Sequence, residues 1–197
     1  AAWPTCLEGT SSITLVTKHG KQSRVVTGLP ALSNSGGEVN GAFDVLLHGN
    51  TLTVAMGLGA PPSLRDAFDD QEAASLLGTV IEVKQTGKRQ QVSTLADLAA
   101  FEDTNDVDER GPDSNPADLA WSGRDLIVTD AGANAALTVS KKGAISAFAV
   151  FTDPVLMDPP FPGAPDPFPA QPVPTAAAQG PDGAWYFSQL TGFPFQP

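Results

Sequence analysis

Apolar residues along this chain come in short, β-rich runs separated by polar turns that carry glycine. That pattern predicts strands joined in hairpins rather than long helices. Three segments align on a glycine: 13–20 (ITLVTKHG), 80–87 (VIEVKQTG) and 136–143 (ALTVSKKG). Each predicts a strand, a turn ending in Gly20, Gly87 or Gly143, and a second strand (24–27, 91–95 and 145–151). Glycine adopts the positive φ that such tight hairpins require. A second set, 43–56, 117–130 and 175–189, also aligns. Each member has a short apolar strand, a turn (48–50, 122–124 and 181–183) and a further strand (52–56, 126–130 and 185–189).

The two hairpin types alternate, so in pairs they make four-stranded antiparallel units. Four strands repeated every several tens of residues predict an all-β fold, a β-propeller in which each unit is one blade. With strands lettered A to D from the axis outward, residues 1–32 read as a C–D half-blade. Residues 33–95 and 96–151 read as two blades, 152–172 as a proline-rich loop, and 173–197 as an A–B half-blade. That makes about three blades' worth, and hence a fragment of a ring. The competing folds are a β-sandwich and another all-β solenoid.

In an antiparallel blade the A–B and C–D turns share one end, and the B–C and D–A connections share the other. Every long connector (57–77, 96–114 and 153–172) falls on that second face, which is therefore the expected working surface. The last connector holds 8 of the 18 prolines, which predicts an extended, unpaired lid carrying Phe161 and Phe168. A short helical turn is expected within 93–101.

Composition sharpens this picture. The 197 residues carry a net charge of −11, and 14 of the 22 acids lie in the three connectors. Nine of the 11 basic residues, Lys18, Lys84, Arg124 and Lys141 among them, lie at or near the tight turns. The loop face should attract cations, either Ca²⁺ or a basic partner, while nucleic acid would be repelled. No apolar run approaches the length of a membrane span. With Cys6 alone, no disulfide can form within the chain and no cysteine zinc site exists.

Both histidines, His19 and His48, fall in tight turns away from the long loops, which argues against a nucleophile–histidine pair. Gly57-Leu58-Gly59 is too short to cradle a phosphate. Oxygen chemistry remains. Glu38, Asp44, Asp113, Asn115 and Thr175 lie near the inner-strand starts, with Asp130 and Gln189 at the far ends of B strands. As ligand-binding candidates we take Glu38, Asp44, Asp113, Asn115, Thr175 and Gln189. Asp44, Asn115 and Asp130 are candidate Ca²⁺ ligands, and such an ion would polarise a carbonyl as in lactone hydrolysis. Alternatively, Asp44, Asn115 and Asp130 cap strands and bond turn backbone.

The segments 6–13 (CLEGTSSI), 25–30 (VVTGLP), 43–45 (FDV) with 56–59 (MGLG), 97–102 (DLAAFE), 113–116 (DSNP), 128–132 (VTDAG) with Asn134, and 149–151 (AVF) resemble the ScyD/ScyE family. The most specific match runs from 173–175 (VPT) through 180–183 (GPDG) to 190–195 (LTGFPF). The resemblance covers essentially the whole chain. It implies a secreted or periplasmic, six-bladed propeller akin to NHL-repeat and gluconolactonase-like proteins, in a family whose members mostly have no assigned reaction. Members carry an A–B hairpin before the position of Cys6 and further blades after Phe195. This sequence lacks both, and it departs again at Ala117 and Ser188-Gln189.

Three functions follow as expectations. The first is a secreted propeller binding a small molecule or protein partner through its acidic loop face. The second is a Ca²⁺-dependent lactonase or esterase-like hydrolase at the axis. The third is a structural assembly in which the remainder of the propeller, or a second copy, completes the ring.

Overall fold

The computed structural model describes residues 5–34, 37–86, 89–152, 155–159 and 161–190. Gly87, Asp153 and the match over 191–195 lie outside the described residues. The chain is all-β with two four-stranded antiparallel sheets, as the alternating hairpins predict. Strands β1 (Thr5–Val16), β2 (Gln22–Asn34) and β3 (Val39–Asn40) form the first sheet. The second contains β4 (Ala42–His48), β5 (Thr51–Met56), β6 (Thr79–Thr86) and β7 (Arg89–Asp97), paired in chain order. The third repeats that order with β8 (Pro116–Ser122), β9 (Asp125–Asp130), β10 (Ala135–Val139) and β11 (Ile145–Val150). Two hairpins follow, β12 (Val155–Met157) with β13 (Phe168–Ala170) and β14 (Pro174–Gln179) with β15 (Trp185–Gln189). No sheet closes on itself among the described residues.

Strand β5 from Thr53 onward and strand β9 from Leu126 onward are buried on both faces. Their apolar runs suit that position because neighbouring sheets cover them from both sides. Val26 and Leu29 of the first sheet pack with Val54, Met56, Ile81 and Val83 of the second. Val80 and Ala55 in turn share a cluster with Leu119, Leu126, Val128, Leu137 and Val139 of the third. The third sheet meets β15 through aromatic edges, with Phe151 and Phe187 centroids 5.2 Å apart and Phe148 and Trp185 6.0 Å apart. Burial of these apolar side chains is the main favourable term holding sheet to sheet.

The inner strands are stitched together as well. Asp44 of β4 accepts the backbone N–H of Leu119 on β8 at 2.9 Å, and Asp118 of β8 accepts that of Ala177 on β14 at 2.8 Å. Both acids sit where a bulge interrupts the register with the second strand, at Ala42/Asp44 and at Pro116/Asp118. A bulge turns a side chain out of the pleat's alternation, and here it aims each carboxylate at the next sheet.

Among the described residues, the connectors hold two short helices and a 3-10 segment, Pro62–Ala67. Helix α1 (Gln71–Ala74) is capped by the Asp70 side chain. Helix α2 (Leu98–Asn105) begins later than the helical turn expected within 93–101, because β7 continues to Asp97, whose carboxylate then accepts the Ala100 N–H as an N-cap. The proline-rich segment also departs from expectation. It pairs with itself, with Leu156 opposite Pro169 and Met157 opposite Phe168. Three residues suffice because Phe168 is buried and its ring meets Phe161 edge-on at 6.0 Å.

Candidate functional site

The long connectors meet at one place. Gly59 N–H donates to the Ser114 carbonyl at 3.0 Å, and Ala60 and Ser114 form an isolated bridge. Around this junction opens a cavity of about 390 Å³, lined among others by Glu38, Asn40, Asp113, Asn115 and Gln171. Glycines make room for it. A Cβ on Gly132 would stand 2.7 Å from Asp113 Oδ1, and one on Gly59 would stand 2.6 Å from Asn40 Nδ2.

Of the six sequence-predicted ligand residues, Glu38, Asp113 and Asn115 are brought together here; Asp44, Thr175 and Gln189 do not line the cavity. Glu38 is held by Asn34, whose Nδ2 donates to Glu38 Oε2 at 2.7 Å. Asp44 is committed to Leu119 N–H. Thr175 Oγ1 bonds Ser188 Oγ at 3.0 Å, and Gln189 pairs across the hairpin with Pro174.

Asp130, a predicted metal ligand with Asp44 and Asn115, is fully buried and engaged on both oxygens. Oδ1 accepts from the backbone N–H groups of Asn115 (2.6 Å), Gly132 (3.1 Å) and Ala133 (3.2 Å), and Oδ2 accepts from Ser114 Oγ at 2.7 Å. Asp130 thereby folds the turn after β9 and fixes the 113–115 segment against it. Asp44 and Asp130 thus serve the backbone, which leaves Asn115 of that trio facing the cavity.

Two oxygens in this region are buried without a hydrogen-bond partner among the described residues: Asp113 Oδ1 and Asn115 Oδ1. Burial, reinforced by the charges of Asp130 and Asp108, pushes the Asp113 carboxyl up to about 6. An acceptor stripped of water and left unpaired is costly, and a ligand that donates hydrogen bonds or brings positive charge relieves that cost.

A second cavity, of about 580 Å³, lies at the tight-turn end between the second and third sheets. His48, Trp121, Arg124, Lys84 and Lys141 line it, with His48 and Trp121 rings 5.6 Å apart and Lys84 paired to Glu82 at 3.2 Å. The sequence places Lys84, Arg124 and Lys141 at or near the tight turns, but the cavity lies between two sheets, which no local pattern encodes.

No family model matches the chain, and no curated protein matches it. Among solved structures, a catalytically inactive virginiamycin B lyase from Staphylococcus aureus, solved with quinupristin, aligns at 13% identity and a TM-score of 0.42. The alignment covers 94% of this chain and 54% of that one, so the chain spans about half the length of that protein. Likeness at this level carries no argument for chemistry.

Proposed function

We propose that the chain belongs to a secreted β-propeller of ScyD/ScyE type and binds a small, donor-rich ligand, cationic or polyhydroxylated, in the cavity of the long-loop face. The observation that carries the reading is the pair of unpartnered buried acceptors, Asp113 Oδ1 and Asn115 Oδ1, with Glu38 at the same cavity. The blade arrangement is supported by four-stranded sheets packed face to face and by the repeated Asp44 and Asp118 contacts between inner strands. The test is thermal stabilisation of the chain by spermidine, glucosamine and glucose. A shift with at least one of them, lost in Asp113→Asn combined with Asn115→Ala, is expected; no shift, or a shift unchanged in that variant, refutes the reading.

A second reading is that further inner strands complete the ring, from the rest of a longer protein or from a second copy. Leu119 and Ala177 are each met by an aspartate of the preceding inner strand, and Val45 takes the corresponding place on β4, with no inner strand before it among the described residues. Phe43, Val45 and Leu47 of that strand are 45%, 40% and 67% exposed, an apolar face suited to such a neighbour. Light scattering decides between a second copy and a lone chain: a mass near 40 kDa, twice the 20.3 kDa of one chain, supports the former.

A further inference from the structure

Helix α2 ends on Asp106, whose φ of 40° is left-handed, and the chain then turns back through Asp108 toward β8. Carboxylate oxygens of Glu102, Asp106 and Asp108 lie within 4.8 Å of one another. Acids gathered on a loop are by themselves ordinary. Glu102 is not, because its side chain is fully buried beneath the loop. Its Oε2 accepts one long bond, 3.5 Å from Val107 N–H, and its Oε1 has no partner among the described residues.

The neighbouring groups do not answer that charge. Arg110 reaches toward Asp108, with Nε 3.9 Å from Oδ2, and Asn134 Nδ2 donates to the same oxygen at 2.7 Å. Asp106 is occupied with the backbone N–H groups of Arg110 and Gly111. Burial first, and then the charges of Asp130, Asp108 and Asp106, push the Glu102 carboxyl up to about 7.

We infer that Glu102, Asp106 and Asp108 form a site for a hard divalent cation of the Ca²⁺ class, with Glu102 Oε1 as its buried ligand. The donor set is all oxygen, with no imidazole or thiolate, which selects a hard cation over zinc or copper. Ca²⁺ accepts irregular geometry and completes its six to eight ligands with carbonyls and water, whereas Mg²⁺ demands a near-ideal octahedron. The site differs from the ligand cavity but is joined to it. Asn134, which donates to Asp108, also donates to Gln171 Oε1 at 2.9 Å, and Gln171 lines the cavity. A bound ion would therefore fasten the end of α2 behind the cavity wall.

Calorimetric titration of the chelator-treated chain with CaCl₂ tests this. One ion per chain is expected, with a dissociation constant below about 1 mM and a raised thermal midpoint. Glu102→Gln removes the ligand charge while keeping the shape, and should weaken binding at least roughly tenfold. Asp113→Asn, in the cavity, removes only a neighbouring charge and should weaken binding far less than Glu102→Gln does. Asp106→Asn, at a partly exposed side chain, reads the same loss should the Glu102 variant fail to fold. No saturable binding at about 10 mM overturns the proposal. So does binding that survives in both Glu102→Gln and Asp106→Asn, or that disappears only in Asp113→Asn.

Discussion

The carboxylate of Asp44 holds the backbone N–H of Leu119 at 2.9 Å, across the boundary between two sheets and 75 residues along the chain. The same bond recurs one sheet further on, from Asp118 to Ala177. Hydrophobic packing alone leaves adjacent sheets free to slide, and a directional bond at each inner strand fixes their relative height.

Removing that acceptor strands a half-buried N–H. Asp44→Ala should therefore lower stability by about 1–3 kcal/mol, and Asp118→Ala by a similar amount. Urea denaturation followed by tryptophan fluorescence measures both, and wild-type midpoints would contradict the assigned role.

Glu102 contributes its own share of the pH dependence, beside that of Asp113. Its folded carboxyl sits near 7 against an ordinary 4.5, so the folded chain holds this proton more tightly than the unfolded chain. The resulting stability is complete below about pH 4.5 and is lost as pH rises through 7. In the presence of chelator, Glu102→Gln should gain on the order of 2 kcal/mol over wild type between pH 5 and 8. Denaturation at those two values checks the difference, and parallel curves for the two proteins would exclude it.

Two turn glycines should respond differently to alanine. Gly143 (φ +81°) and Gly183 (φ +83°) share a left-handed backbone, but a Cβ at Gly143 would strike the Leu95 carbonyl oxygen, while nothing lies within 4 Å at Gly183. Gly183→Ala should cost about 1 kcal/mol, the penalty of the backbone conformation alone. Gly143→Ala should cost about 1–3 kcal/mol more, because the two sheets must part. Thermal midpoints of the pair provide the comparison.

Asn134 joins three segments: Nδ2 reaches Asp108 and Gln171, and Oδ1 accepts Val173 N–H at 3.0 Å. It is fully buried and has a φ of 46°, a conformation that asparagine tolerates better than most residues. Asn134→Ala should destabilise by about 2–4 kcal/mol. Hydrogen exchange should also quicken at Val173 and around Asp108; unchanged exchange there would argue against Asn134 as the tie.

The strand pattern was legible because each hairpin carries its own local signal, an apolar run and a turn glycine such as Gly20, Gly123 or Gly183. The loop-face cavity was half legible. Glu38, Asp113 and Asn115 could be placed by counting strands, but Gln171 reaches it only through the pairing of β12 with β13. Asp118 aligns with Asp44, but alignment marks equivalence without saying that either side chain touches the next strand. In the sequence Glu102 is one of the 14 acids of the connectors. Its burial depends on where α2 begins, which the Asp97 cap sets.

The cavity is lined in part by Gly59 and Gly132, places where added carbon would run into Asn40 or Asp113. Its floor is thus main chain, and almost any substitution there shallows the hollow instead of reshaping it. With those glycines kept, what the hollow holds is set by the side chains around them, Glu38, Asn40, Asp113, Asn115, Gln171 and Val173. Those positions, more than the sheets beneath them, are where a change of ligand would be written.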